Sequence, residues 1–423
     1  MVGVLDGIRV LEFSQIVAAP VAGVNLADFG ADVVKVEPPG GEQTRNTAAV
    51  VPKEGKGFMA LNRGKRSLVV DLHDARGQEV IHRLITGIDV VLINYRFGVP
   101  ERLGIDYETL RKIRPDLIYW QNTGFGERGP EAYRAGSDVV AQAYSGLMVS
   151  DAKTDDVGAP DLISIPIADL ASGFAAAMGV GMALYHRERT GRGQYLSTSL
   201  LRTSLFLQAG AVMREPVTDA VLRDPMMEEI VAAGGSYDSM LAIRKRQQAL
   251  RTSFRLYYGG YKAKDGAVVL GALTKANRDK MRQVLGGEAE DSDSPDYDSL
   301  APESQETAET WKEHYRALFL TRTVDEWVRL FDAVGVPASP VRPPEVLADD
   351  PQVQADEMVW DVEHSVTGRQ RVVGPAVLMS ETPTRVQRAA PALGEHSAEV
   401  LIEHGFAPEE IAKLCEAGIL VRL

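Results

Sequence analysis

Asp169 stands in Pro166-Ile-Ala-Asp-Leu-Ala-Ser-Gly173-Phe-Ala-Ala-Ala-Met-Gly179, immediately ahead of a helix expected over about 170–189. An aspartate in that place is read first as an N-cap. Its carboxylate would accept hydrogen bonds from the free backbone donors of the first turn, where the helix dipole also favours negative charge. The helix behind it is crowded with small residues, and small residues let a second backbone or a ligand come close. Gly173, one turn on, leaves room in front of the carboxylate. Carboxylates in general can also act as nucleophiles toward activated acyl groups. The segment closes on Arg187-Glu-Arg189-Thr-Gly191-Arg-Gly193-Gln194 and a strand-like Tyr195-Leu-Ser-Thr-Ser199.

Other chemistries find less support. Gly124-Phe-Gly126-Glu-Arg-Gly129-Pro130 fits the dinucleotide fingerprint G-x-G-x-x-G after an apolar run at 117–122. It lies far from the first turn of the alternating region, and no second strand ending in a ribose-binding acid follows, so a structural turn is preferred. The seven histidines show no H-E-x-x-H and no paired metal spacing, and no metal is expected. A G-x-S-x-G elbow is missing, and the single cysteine, Cys415, falls in an amphipathic terminal helix, so serine and thiol acyl transfer lose support.

The elements that must position Asp169 alternate in kind. Apolar runs at 8–13, 31–37, 67–72, 88–94 and 117–122 are separated by helical segments such as 18–29 and 75–85. That alternation predicts a doubly wound, Rossmann-like α/β domain whose ligands gather at the carboxyl ends of the strands. We expect a large domain over 1–205, linker helices over 206–250 and a smaller α+β domain over 251–340. A segment over 341–423 would then return to the large domain. Runs at 253–262 and 266–271, joined around Asp265-Gly266, read as a hairpin.

Composition bounds the class. The 423 residues suffice for two or three domains, and the aliphatic and charged fractions are ordinary for a globular chain. The formal charge is −13, but nine acids fall between Glu288 and Glu309, leaving about −4 for the rest. That stretch reads as a solvated loop. No basic, aromatic-interleaved face suggests nucleic acid. We find neither a signal-type N-terminus nor an 18-residue apolar stretch, so no membrane partner is expected, and one cysteine fits a reducing, cytoplasmic setting.

The succession of Asp169, small-residue helix, R-x-R-T-G-x-G-Q and strand resembles the class III CoA-transferases, which include formyl-CoA, carnitine and bile-acid CoA-transferases. Further matches run along nearly the whole chain: Leu5-Asp-Gly-Ile-Arg-Val-Leu-Glu-Phe13, Gly30-Ala-Asp-Val-Val-Lys35-Val-Glu37-Pro-Pro-Gly40, Asn62-Arg-Gly-Lys65-Arg66-Ser67, Asn94-Tyr-Arg96-Phe-Gly98, Thr323-Val-Asp-Glu-Trp327 and Ala390-Pro391-Ala-Leu-Gly394-Glu-His396. The resemblance implies an interlocked homodimer of ring-shaped chains. It implies CoA and acyl-CoA as substrates, a carboxylic acid acceptor and no tightly bound cofactor. Asp169 would be the nucleophile, passing through a mixed anhydride and an enzyme-CoA thioester.

CoA carries an adenosine 3′-phosphate and a pyrophosphate, so its site needs cations or oriented amides. Candidates are Lys65 and Arg66, Arg96 after the strand ending at Asn94, and Arg102, read as following strand ends. The family adds matching positions at Gln15, Ala18 and Asn94, with Ile16 in the same loop. Asp138 is a helix cap or a second active-site carboxylate. Val17 departs from the glutamine of formyl-CoA transferases, which implies a drier acyl pocket and makes oxalate a poorer acceptor. α-Methylacyl-CoA racemases share this resemblance but carry Gly-His-Asp where this chain has Gly136-Ser137-Asp138, and serine cannot replace histidine as the proton acceptor. Intramolecular CoA transfer, racemisation and a catalytically silent CoA-binding protein remain the alternatives.

Overall fold

The computed structural model describes residues 2–150, 153–249, 252–286, 291–294, 296–298 and 301–421. The chain separates into two compact units. The larger comprises Met1–Ser150, Asp155–Met213 and Asp350–Leu423, the smaller Asp151–Thr154 and Arg214–Asp349.

The larger unit is built on six parallel strands: β1 (Arg9–Phe13), β2 (Asp32–Glu37), β3 (Arg66–Val70), β4 (Val90–Ile93), β5 (Ile118–Thr123) and β6 (Tyr195–Ser199). They lie in the order β3-β2-β1-β4-β5-β6, with the terminal Leu420–Val421 antiparallel beside β3. Val10 pairs with Val33 on one side and Val90 on the other, which puts β1 at the point where the strand order reverses. Both faces are covered, so the strands read as continuous apolar runs.

One face carries Leu11, Phe13, Val34, Val91 and Tyr119 against α3 (Ala75–Ile85), through Val80, Ile81 and Leu84, and against the C-terminal helix Ser397–Glu403. The other carries Val10, Val33, Leu92 and Trp120 against α1 (Ala18–Asp28) and α7 (Ile167–Thr190). Burial of each such side chain contributes about 1.5–3 kcal/mol. Between α3 and α7, and after the short α2 (Lys56–Asn62), come α4 (Val99–Arg102), α5 (Tyr107–Ile113) and α6 (Asp138–Tyr144).

α1 and α7 approach closely because Gly173 faces α1. A Cβ there would stand 2.6 Å from Val21 Cβ and 2.7 Å from the Ala18 carbonyl. α7 corrects two expectations. It begins at Ile167, which moves Asp169 from the N-cap into the first turn. Its mean hydropathy of 1.6 over 18 residues also makes it long and apolar enough to cross a membrane by length and composition, where no such stretch was expected. Its Ala176, Val180 and Ala183 face is taken up by the core, which gives that apolarity another cause.

The smaller unit holds a three-stranded antiparallel sheet of Tyr258–Lys262, Ala267–Gly271 and Ala338–Pro340. Tyr261, Tyr315, Phe319, Trp327 and Phe331 form its aromatic core. The helices Pro216–Val221, Arg223–Ala232 and Tyr237–Ala249, expected as linkers, group with this unit. Thr252–Tyr257 is helical, so the hairpin begins at Tyr258. Of the acidic stretch, 287–290, 295 and 299–300 lie outside the described residues. Where it is described it is not wholly solvated: Asp293 pairs with Arg278 and Arg282.

Candidate active site

A cavity of about 1050 Å³ opens in the larger unit along the carboxyl ends of its parallel strands. Glu37 ends β2 and Pro38 follows it, Gln15 to Val17 follow β1, Asn94 to Arg96 follow β4, Gly124 follows β5 and Leu200 follows β6. In a doubly wound sheet this crevice, centred where the strand order reverses, is where ligands are taken.

The two strands at that reversal are tied together above their ends. Asn94 Nδ2 donates to the Gln15 carbonyl at 2.8 Å, and Gln15 N–H donates to Asn94 Oδ1 at 3.0 Å. Ile16 follows with a left-handed backbone, φ 67°, and a half-exposed side chain turned to the cavity. Arg96 and Arg102 also line the cavity, exposed, and neither has an ion-pair partner among the described residues. Gly98, left-handed at φ 79°, turns the chain between them into α4.

Asp169 also lines this cavity, on the first turn of α7. Burial raises its carboxyl above the usual range and the neighbouring Asp138 charge raises it further, to about 7. Asp138 is itself in the lining, at the start of α6. Its Oδ1 accepts the N–H groups of Ala168 at 2.8 Å and Asp169 at 3.1 Å, and its Oδ2 accepts from Gln142 Nε2 at 2.5 Å. Asp138 therefore serves the amino end of α7, leaving the Asp169 carboxylate with no capping bond of its own. The Gly124-to-Gly129 stretch is a turn that opens no helix, and Gly124 instead allows the backbone of Gly136 to cross it, each Cα within 2.7 Å of where the other's Cβ would be.

The cavity thus gathers Gln15, Ile16, Asn94, Arg96, Arg102, Asp138 and Asp169 from the residues singled out in the sequence. Three others lie elsewhere. Lys65 precedes β3 and Arg66 opens it instead of following a strand, so they start from the opposite end of the sheet. Lys65 is fully buried, with Nζ donating to Glu12 Oε1 at 3.0 Å, the Pro20 carbonyl at 3.0 Å and Asn62 Oδ1 at 2.8 Å. Burial pushes its ammonium down to about 8 although Glu12 opposes this. Arg66 is held by Asp32, Glu399 and Glu403. Ala18 is buried where α1 meets Gly173. Conversely, His73, Tyr95 and Ile163 line the cavity without having been singled out for it. The carboxyl-end rule alone would have found His73, which follows β3.

Comparison with known proteins places these features. The chain matches the family model of CoA-transferase family III over residues 5–397. It is 32% identical to succinyl-CoA:mesaconate CoA-transferase of Haloarcula hispanica, covering 95% of this chain and 97% of that one. It is 32% identical to succinate–glutarate CoA-transferase of Agrobacterium fabrum (94% and 95% covered) and 30% identical to the α-methylacyl-CoA racemase of Mus musculus (97% and 96%). Among solved structures it resembles Rv3272 of M. tuberculosis, with a TM-score of 0.74, 28% identity and 94% and 99% of the two chains covered. The chain belongs to CoA-transferase family III and is an enzyme of the CoA-transferase class.

Proposed function

We propose that this enzyme moves CoA from an acyl-CoA thioester to a free carboxylic acid through covalent intermediates on Asp169. The observation that carries the reading is a carboxylate free of capping bonds, on the first turn of α7, lining a strand-end cavity large enough for a nucleotide-bearing thioester.

The Asp169 carboxylate attacks the thioester carbonyl, forming a mixed anhydride and releasing CoA thiolate. The thiolate attacks the aspartyl carbon of that anhydride, freeing the donor acid and leaving CoA as a thioester on Asp169. The acceptor carboxylate attacks this thioester to give a second anhydride and thiolate. The thiolate then takes the acceptor's acyl carbon, and the Asp169 carboxylate is regenerated. The N–H groups of Ala168 and Asp169 are held by Asp138 and so orient the nucleophile through these steps. Gln15, Ile16 and Asn94 would contact CoA, and Arg96 and Arg102 would meet its phosphates with charge-assisted bonds.

An interlocked homodimer belongs to this reading. Phe174, Met178, Met182 and Tyr185 form an exposed apolar row along α7, the kind of surface that a second chain covers. A cytoplasmic setting is proposed on the single cysteine. Succinate, glutarate and mesaconate are the first acceptors to test, since relatives bear those names. Val17 favours a less polar acid than oxalate.

The test is chemical trapping. With a true donor, the peptide containing Asp169 should carry a hydroxylamine- or borohydride-sensitive adduct, and Asp169→Ala should lose turnover while keeping CoA affinity. A fully active Asp169→Ala protein would overturn the mechanism. CoA binding with no exchange between acyl-CoA and any acid would instead indicate a silent CoA-binding protein.

A further inference from the structure

Ile16 presents a problem of backbone conformation at the cavity. A β-branched residue in the left-handed region is sterically disfavoured, and such a residue persists only where its surroundings over-determine it. Asn94 accounts for Gln15, and both of its hydrogen bonds go there. The Ile16 N–H instead donates to Glu42 Oε2 at 2.8 Å. Glu42 reaches this point from 26 residues further along the chain, on the segment after β2, and is only 1% exposed.

The buried carboxylate is itself fixed. Glu42 Oε1 accepts from Thr44 Oγ1 at 2.8 Å and lies 3.6 Å from Lys35 Nζ, and its backbone N–H donates to Glu37 Oε1 at 3.3 Å. Lys35 also donates to Ser14 Oγ at 2.6 Å, to the Ser14 carbonyl at 3.3 Å and to Glu12 Oε1 at 3.2 Å. A single buried chain of charges, Glu12, Lys35 and Glu42, thus grips Ser14 and Ile16 on either side of Gln15. Burying three charges together is stabilising only when each is paired and hydrogen-bonded. A hydrophobic cluster would have filled the same space without holding the turn.

We propose that Glu42 is a positioning residue for CoA: through the Ile16 N–H it sets the Gln15–Val17 turn in the conformation that the bound thioester meets. The identity of the ligand rests on the CoA-transferase reading above. Glu42 does not line the cavity, so its effect passes through Ile16.

The probe is coenzyme A, measured by isothermal titration, together with KM and kcat for an acyl-CoA donor. Glu42→Ala should weaken CoA binding and raise KM on the order of tenfold, the loss expected for a hydrogen bond to a charged group. Its kcat at saturation should change much less. Glu42→Gln keeps an oxygen for the Ile16 N–H and should recover affinity to within about threefold. Ile16→Gly removes the steric penalty, so in that background Glu42→Ala should cost at most about threefold, a non-additivity that coupled neighbours show. If Glu42→Ala does not fold, Ile16→Pro serves in its place. It leaves the buried charges intact but has no N–H and cannot adopt positive φ, and it should show the same rise in KM.

Equal losses from Glu42→Ala in the two backgrounds overturn the inference, as does a lowered melting temperature with KM unchanged. Failure of Glu42→Gln to recover affinity overturns it too. Those outcomes leave CoA binding by the wild-type protein intact and so leave the functional reading standing. A wild-type protein that does not bind CoA overturns both.

Discussion

Asp138 holds the backbone from which Asp169 projects: one of its carboxylate oxygens accepts the N–H of Asp169 at 3.1 Å and of Ala168 at 2.8 Å. The same group that caps the helix therefore places a negative charge beside the nucleophile. Burial is the larger cause of Asp169's raised pKa of about 7, and Asp138 adds to it.

This predicts an acid limb in the rate. Only the ionised Asp169 attacks, so kcat/KM should fall as pH drops through about 7, instead of near the usual carboxylate value. Asp138→Asn keeps an oxygen for the two N–H groups but removes the charge, so the limb should move to lower pH. Asp138→Ala also loses the cap and should cost about 0.5–2 kcal/mol of stability. A pH–rate profile with thermal unfolding checks both; an acid limb that Asp138→Asn leaves in place would remove Asp138 from the account.

The contrast between Lys65 and Arg102 yields a second prediction. Lys65→Ala leaves Glu12 without one of its two buried cationic partners, and breaking such a pair costs about 3–5 kcal/mol. The variant should melt markedly lower, whereas Arg102→Ala, at an exposed and unpaired position, should keep its melting temperature. Arg102→Ala should instead weaken CoA binding on the order of tenfold. Calorimetric unfolding and CoA titration on the two variants separate the roles, and unchanged affinity in Arg102→Ala would mean that the phosphates lie elsewhere.

These two cases show where the sequence was informative and where it was not. Alternating apolar runs are a local signal, and they located the strands whose carboxyl ends carry Gln15, Asn94 and Arg96. The placement of the Lys-Arg pair was not legible: the pair stands at the start of β3, and Lys65 turns into the core onto Glu12, a partner from 53 residues away. The cap on α7 was hidden for another reason. Capping rules search the residues beside a helix, and Asp138 arrives from 31 residues away on a different element. Glu42 and Ile16 are likewise joined only by the tertiary fold. Local chemistry was readable; the buried polar partners that aim it were not.

Gly173 supplies a third prediction. A methyl group there would press on Val21 and on the Ala18 carbonyl at under 3 Å, and the carbonyl belongs to backbone that cannot swing aside. Gly173→Ala should therefore cost about 1–3 kcal/mol, the usual range for overpacking, despite alanine's better helix propensity. Because α1 begins directly after the Gln15–Val17 turn, the displacement should also raise KM for acyl-CoA. A variant as stable as the parent would show that α1 and α7 part more easily than their packing implies.

The last prediction separates CoA transfer from racemisation, a distinction that matters because a racemase stands among the relatives at 30% identity. Transfer breaks and remakes a thioester and leaves the α-carbon untouched. Racemisation must lift the α-proton and return one from solvent on the other face, which requires two proton carriers. Asp169 could be one, but the position beside Asp138 is Ser137, whose hydroxyl is not a base at neutral pH. In deuterated water, a 2-methylacyl-CoA should therefore keep its α-hydrogen and its configuration. A labelled free acid added to the same mixture should appear in the CoA pool, and Asp169→Ala should abolish that appearance. Mass spectrometry reads both events in one sample, and rapid deuterium incorporation without acid exchange would reverse the assignment.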